Sequence, residues 1–239
     1  MQGRSGRQLH PCFVLHRRDY SDTSLLVEVF ARDFGRFPAI AKGAKRSRST
    51  GAALLQPFRP LWLSWGGRGE VRTLHRMEAV GPAPVLAGKT LVCGFYLNEL
   101  LVRLLGRDDP HEALFAHYHD ALGRLAGDED FEAVLRRFEL QLLAEIGYAL
   151  LLDREADSGL PVRRDRRYRY EPERGPVALE PSDHEPFAIA GETLLRLAAE
   201  QIPAGQGARE ARYLLRRVLA CYLGDKPLKS RELFRLFRR

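Results

Sequence analysis

Between Cys12 and Glu78 the chain shows short hydrophobic segments separated by turn residues at intervals of about ten positions, a spacing typical of small β-barrels. Apolar and polar side chains alternate with a period of two in several of them, as in strands with one buried face. The predicted strands are Phe13–Arg18, Leu25–Ala31, Arg36–Lys42, Pro57–Trp65 and Glu70–Arg76. This count predicts a five-stranded OB-fold barrel, and an SH3-like barrel satisfies the same pattern.

The periodicity changes after the sequence Gly-Pro-Ala-Pro at residues 81–84. Apolar residues then recur every three or four positions, which indicates α-helices. The predicted helices are Leu91–Leu105, Ala113–Leu125 with Asp109 as its N-cap, Phe131–Ile146, Gly191–Gln201, Ala208–Leu223 and Ser230–Phe237. For residues 151–180, where glycines and prolines interrupt the helical pattern, the sequence predicts an irregular loop that carries one hairpin. We therefore predict an α+β multidomain protein, with an OB-fold domain in residues 1–80 and a mostly helical domain in residues 81–239.

The 239 residues include 38 Lys and Arg and 31 Asp and Glu, which gives a net charge of +7. Residues 1–80 carry a net charge of +8 and residues 81–239 a net charge of −1, so the basic character belongs to the predicted barrel. A basic barrel favours a polyanionic partner, DNA or RNA. The three cysteines are far apart in sequence, which argues against a disulfide framework and indicates a reducing, cytoplasmic setting.

Two groups of cations are candidates for contacts with nucleic-acid phosphates. The first lies on the predicted barrel and the loop after its third strand, and comprises Arg17, Arg18, Arg36, Lys42, Lys45, Arg46 and Arg48. The second lies near the end of the chain and comprises Lys226, Lys229 and Arg231, followed by Arg235, Arg238 and Arg239. A solvated loop and a frayed tail are the alternatives. The segment 163–170, RRDRRYRY, is a further candidate for base stacking, with an exposed hairpin as its alternative.

The chain shows no phosphate-binding loop, dinucleotide fingerprint or nucleophile motif, which favours a binding protein over an enzyme. Arg136 and Arg137 flank the apolar stripe of the helix that begins at Phe131, where they are placed to receive an acidic, hydrophobic peptide. The alternative is an ordinary surface pair between Glu132 and Arg136, four residues apart. Spacing alone favours the surface pair.

Eight segments along almost the whole chain, in the same order, resemble the RecO family of bacterial DNA repair proteins. They are FVLH (13–16), YSDTS (20–24), AKGA (41–44), LQPF (55–58), FYLNEL (95–100), LRRFE (135–139), GY (147–148) and YLGDKPLKSREL (222–233). The resemblance implies an OB-fold followed by a helical domain, and a mediator that binds single- and double-stranded DNA, anneals complementary strands and acts with RecR to load RecA. It also implies a cytoplasmic, nucleoid-associated protein.

The same resemblance implies a contact with the acidic C-terminal tail of single-strand-binding protein, mapped onto Leu114, Phe115 and Arg136, with Arg137 beside it. Some family members bind zinc through cysteines in the loop after Gly-Tyr, but residues 151–174 contain no cysteine. We therefore predict no metal and no cofactor. The alternatives are an RNA-binding or ribosome-assembly OB-fold protein and a nuclease or ligase subunit whose acidic residues meet only in the fold.

Overall fold

The N-terminal part of the chain forms a closed five-stranded barrel in a computed structural model, which describes residues 8–67, 69–180, 182–183 and 185–236. The elements in chain order are β1 (His10–Asp19), β2 (Leu25–Ala31), β3 (Gly35–Ala41), α1 (Gly51–Leu54), β4 (Leu61–Gly66), β5 (Arg72–Ala79), α2 (Gly88–Leu104), α3 (Glu112–Ala126), α4 (Phe131–Glu145), β6 (Arg167–Glu171), β7 (Gly175–Ala178), β8 (Ile189–Ala190), α5 (Gly191–Ala198), α6 (Gly205–Leu223) and α7 (Lys229–Leu236). The strand order is β1-β2-β3-β5-β4, and β4 pairs with β1 to close the barrel. The β3–β5 pair is parallel and the other pairs are antiparallel. The predicted OB-fold followed by a helical region is confirmed.

By spatial contact the chain divides into two units. Unit 1 comprises Met1–Asp128 and Pro227–Arg239, and unit 2 comprises Glu129–Lys226. The helices α2, α3 and α7 therefore belong with the barrel, although the sequence predicts a boundary at residue 80. Within the described residues, no helix is both long enough and apolar enough to cross a membrane.

Alternating side chains on the strands fill the barrel. Val27 and Val29 of β2 and Leu61 and Leu63 of β4 are buried inside it, as period-two alternation requires. The turn from β2 to β3 depends on Gly35, whose φ is +67°. A Cβ atom at this position would lie 2.1 Å from a backbone oxygen of the segment before α3, so only glycine fits the close approach.

The outward-facing aromatic rings of β1 and β2 are covered by α3. Phe13 and Phe30 are paired across the two strands and buried, and the Phe13 ring centroid lies 4.9 Å from that of Tyr118. The Tyr118 hydroxyl donates to the Asn98 side-chain oxygen, and the Asn98 amide donates to the Leu15 carbonyl at 2.8 Å. Because α3 covers Phe13 and Phe30, these two rings are unavailable for stacking on bases.

The start of α3 differs from the sequence prediction. Asp109 is not its N-cap; His111 occupies that position and Glu112 is the first helical residue. The reason is that the preceding segment is attached to the barrel. The Asp108 N–H donates to the Arg36 carbonyl at 2.9 Å, and Asp108 adopts a left-handed φ of +58°, so the backbone enters the helix only after His111.

Unit 2 packs α4, α5 and α6 with a small sheet of order β7-β6-β8. The β6–β7 hairpin lies inside the predicted irregular loop, as expected, and β8 extends it. Glu210 of α6 is buried, and its carboxylate accepts hydrogen bonds from the Thr193 hydroxyl at 2.7 Å and the Ala190 N–H at 3.0 Å. This carboxylate therefore connects α6 to β8 and α5.

Candidate nucleic-acid interface

Two loops meet at one end of the barrel. The β1–β2 turn occupies residues 20–24, and residues 42–50 form the loop between β3 and α1. The Lys45 N–H donates to the Thr23 carbonyl at 3.0 Å, and its ammonium group donates to the Ser21 carbonyl at 3.3 Å and pairs with Asp19 at 2.8 Å. Lys45 therefore holds the two loops together, and its charge already has a carboxylate partner.

Three basic residues of the loop extend into solvent: Lys42, Arg46 and Arg48. Within the part of the chain that the structure describes, none of the three pairs with a carboxylate. We name them the loop cation cluster. Arg18, near the end of β1, is also exposed. Because Gly43 adopts a φ of +70° and has no side chain, the Arg46 side chain runs close over it, with Nε 3.4 Å from the position of a Cβ.

Two other predicted cations of the barrel have partners inside unit 1. One guanidinium nitrogen of Arg17 donates to the Ala52 carbonyl of α1 at 2.8 Å. Arg36 donates to the Glu28 carboxylate and, at 2.9 Å, to the Leu105 carbonyl just after α2. Their side chains contribute to folding, so we leave both out of the loop cation cluster, and their predicted DNA contacts stay a prediction.

Among the barrel residues that the structure describes, one tyrosine and one tryptophan side chain remain exposed, whereas Phe37, Phe58 and Trp65 are buried. Tyr20 lies in the β1–β2 turn beside the loop cation cluster and is 60% exposed, and Trp62 on β4 is 38% exposed. Tyr20 is not among the residues that the sequence predicts to bind DNA. The signal for Tyr20 is its position in a polar turn, where an aromatic ring has no strand partner to cover it.

The opposite end of the barrel is closed by an aromatic cluster. The Arg72 guanidinium lies 3.9 Å from the centroid of the Phe37 ring and pairs with Asp108. Burial lowers the pKa of Arg72 from its usual value, while Asp108 acts in the opposite direction. The Phe34 and Trp65 rings meet edge to face, with centroids 5.1 Å apart. This end is packed, and its exposed cations Arg32 and Arg107 have carboxylate partners in Asp33 and Glu70.

The second predicted group of cations is divided between the units. Lys226 ends unit 2, whereas Lys229 and Arg231 lie in α7 of unit 1. The Lys229 N–H and the Ser230 N–H each donate to the Glu99 carboxylate of α2 at 2.9 Å, which fixes the start of α7. The Lys229 side chain is exposed and that of Arg231 is half-buried. Arg238 and Arg239 lie outside the described residues, and the Arg235 side chain is not described.

The residues predicted to bind an acidic tail are also divided. Leu114 is fully buried in unit 1, and the partly buried Phe115 ring packs on Phe13 with a centroid distance of 5.2 Å. In unit 2, Arg136 pairs with Glu139 at 2.8 Å, and both side chains are buried.

The expected surface pair between Glu132 and Arg136 is not formed. Glu132 instead lies 3.5 Å from Arg212, because Arg136 turns inward to Glu139. Arg137 stays partly exposed and pairs with Glu129 at 2.8 Å. The face of α4 that retains an accessible cation is therefore the Arg137 side.

The arginine-tyrosine segment at 163–170 is not a stacking surface. Tyr168 and Tyr170 are buried in the small sheet. Arg163 pairs with Asp165 at 2.8 Å, and Arg164 pairs with Glu192. The prediction that this segment stacks on bases is wrong, because its tyrosine side chains face the core of unit 2.

Within the described residues, no group of three or more His, Cys, Asp or Glu side chains is arranged to hold a metal ion. Cys12 and Cys93 are buried and Cys221 is exposed, and all three are free thiols. Burial is the main cause that raises the pKa of the Cys12 thiol well above its usual value, so this thiol stays protonated and unreactive at neutral pH.

Comparison with known proteins identifies both parts of the chain. The family model described as Recombination protein O N terminal matches residues 8–83, and the one described as Recombination protein O C terminal matches residues 86–232. Relatives named DNA repair protein RecO occur in Nitrosospira multiformis (48% identical over 97% of this chain and 96% of the relative) and Nitrosococcus oceani (49% identical over 97% and 94%). A third, from Methylococcus capsulatus, is 49% identical over 95% of this chain and 93% of the relative.

Proposed function

Because this chain belongs to the RecO family of DNA repair proteins, we propose that it is a non-enzymatic recombination mediator of the nucleoid. In this proposal it binds single- and double-stranded DNA and anneals complementary strands. With RecR, it loads RecA onto DNA coated by single-strand-binding protein. The observation that carries the proposal is the loop cation cluster, which leaves three basic side chains exposed at one end of an OB-fold.

In this proposal, the DNA backbone follows the end of the barrel where the β1–β2 turn and the β3–α1 loop meet. Lys42, Arg46 and Arg48 contact phosphates, because exposed cations without carboxylate partners release counterions from DNA at low cost. Tyr20 offers a ring on which an unpaired base can stack. Both contacts are independent of sequence, as a mediator that acts on any gap requires.

Annealing follows from the same surface. Two DNA strands that approach each other repel through their phosphates, and the loop cation cluster placed between them would lower that repulsion. The protein then needs only to hold the strands long enough for bases to pair.

The salt dependence of DNA binding tests the assignment. Each phosphate contact contributes about 0.7 to the slope of log affinity against log salt for a single strand. The triple variant Lys42→Gln, Arg46→Gln, Arg48→Gln should therefore lower the slope by about 2. The matched control is Lys89→Gln, because Lys89 is an exposed lysine in the first turn of α2, outside the loop cation cluster. This variant should leave the slope unchanged. An unchanged slope in the triple variant would overturn the assignment, and preference for structured RNA would favour the alternative function.

We also propose that unit 2 receives the acidic tail of single-strand-binding protein on the Arg137 side of α4. Arg137 pairs with Glu129 but keeps a partly exposed side chain, whereas Arg136 and its partner Glu139 are buried, so Arg136 shapes the helix surface more than it contacts a ligand. Arg137→Gln should weaken binding of a peptide of that tail and leave the affinity for naked DNA unchanged. Equal loss of both activities would refute the separation of the two sites. The predicted contacts of Leu114 and Phe115 stay a prediction.

A further inference from the structure

Unit 2 contains a cavity of about 300 Å³ that the proposed function does not use. Three segments line it: residues 147–151 after α4, the β6–β7 hairpin, and the last turns of α6. Gly147 makes the turn into the first segment with a φ of +86°, a conformation that favours glycine. All three segments belong to unit 2, so the cavity is formed within one unit.

Tyrosine rings form its walls. The Tyr148 and Tyr222 rings stack with centroids 4.0 Å apart and an interplanar angle of 27°, and Tyr148 is 45% exposed. Tyr170 of β6 is buried, and burial raises its pKa to about 12, so its hydroxyl is neutral at physiological pH. The cavity thus presents aromatic faces that are open to solvent on the Tyr148 side.

Of the lining residues that the structure describes, one is charged, and its charge is negative. Glu173, in the β6–β7 turn, is exposed and forms no ion pair with any residue that the structure describes. Its neighbour Arg174 does not neutralise it, because the Arg174 guanidinium is engaged by Glu171 and, at 2.7 Å, by Asp157. Among the described residues, no lysine or arginine lines the cavity.

We propose that this cavity binds the guanidinium group of an arginine side chain presented by a partner protein. A planar cation is attracted to the faces of aromatic rings, and arginine stacks on them while it donates hydrogen bonds to a carboxylate. The volume lies at the lower limit of ligand pockets, about 300–1,000 Å³, which suits one side chain. A nucleotide phosphate or an acidic tail would be repelled by Glu173, so this site is separate from both surfaces proposed above.

Titration of the full chain with the capped peptide Gly-Gly-Arg-Gly-Gly tests the proposal, with the tyrosine ring resonances followed by NMR. The arginine peptide should shift the Tyr148 and Tyr222 resonances in a saturable way. The same peptide with citrulline, the neutral isostere of arginine, should leave these resonances unshifted. Equal shifts with citrulline, no shift at millimolar arginine peptide, or saturable shifts with Gly-Gly-Asp-Gly-Gly instead would each overturn the proposal.

Variants separate the carboxylate from the rings. Glu173→Gln should weaken binding of the arginine peptide about fivefold or more, the factor that corresponds to about 1 kcal/mol. Glu200→Gln is the matched control, because Glu200 is another exposed glutamate of unit 2 with a positive φ, and it should leave the affinity unchanged. Tyr148→Phe should retain binding and Tyr148→Ala should lose it. Equal affinities for Glu173→Gln and Glu200→Gln would contradict the role of the carboxylate.

Discussion

Replacing Arg36 with alanine should destabilise unit 1 without removing a major DNA contact. The Arg36 guanidinium joins the Glu28 carboxylate of β2 to the Leu105 carbonyl after α2, and the Arg36 and Glu28 side chains are only 13% and 16% exposed. The backbone of Arg36 also accepts the hydrogen bond that holds the segment before α3. This residue therefore connects the barrel to the helices that cover it.

The expected loss of stability lies close to the lower limit measured for buried ion pairs. Breaking a fully buried pair costs about 3–5 kcal/mol, and an exposed pair contributes about 0–1 kcal/mol. The Arg36–Glu28 pair is mostly buried, and its loss also removes a charge-assisted hydrogen bond to a carbonyl, so we expect about 3 kcal/mol. For a chain of this size the melting temperature should fall by about 6–12 °C.

Urea unfolding followed by tryptophan fluorescence measures this effect in the right part of the chain. The two tryptophans, Trp62 and Trp65, both lie on β4 and report on the barrel. Glu28→Gln breaks the same pair from the other side and should lower the midpoint in a similar way, whereas Lys42→Gln should leave it unchanged. If Arg36→Ala unfolds at the wild-type midpoint and loses DNA affinity as the loop variants do, the reasoning is refuted.

Three further predictions concern polar groups that are buried or partly buried. Glu99→Gln should lower the local stability of the first turn of α7, because a neutral amide is a weaker acceptor for the Ser230 N–H and hydroxyl. Faster amide exchange in that turn would show the effect, and unchanged exchange would contradict it. Tyr118→Phe should cost about 1–3 kcal/mol in urea unfolding, because it removes a donor to buried Asn98; a neutral result would mean that another group replaces it. Burial acts to raise the pKa of Glu210, but hydrogen bonds led by that of Thr193 outweigh it and hold the pKa below its usual value. The stability gained from ionised Glu210 should be present above the ordinary glutamate pKa and lost as pH falls through the lowered value, so the melting temperatures of wild type and Glu210→Gln should converge in acid.

Much of the fold follows from local patterns in the sequence. The predicted strand Leu25–Ala31 matches β2 at both ends, because apolar residues occupy every second position from Leu25 to Ala31 and turn residues flank the segment. The α4 helix begins at Phe131 as predicted, where the Asp130 side chain accepts a hydrogen bond from the Glu132 N–H. In these places the local signals and the tertiary packing favour the same structure.

Sequence patterns fail where a distant partner decides the outcome. Asp109 satisfies the local rule for an N-cap, but the contact between Asp108 and Arg36 holds the backbone out of the helix. Arg36 belongs by sequence to a row of cations, and only the fold brings Glu28 and Leu105 to it. The division of the candidate cations into those with internal partners and those exposed to solvent is therefore a property of the tertiary structure.

Photo-crosslinking tests the central claim most directly, which is that the loop cation cluster contacts the DNA backbone. A photoreactive amino acid in place of Ser47, between Arg46 and Arg48, should crosslink to single-stranded DNA in good yield. The same group in place of Glu78, which is exposed on β5, should give a yield at least severalfold lower. Equal yields from the two positions, or crosslinking from position 78 alone, would contradict the account.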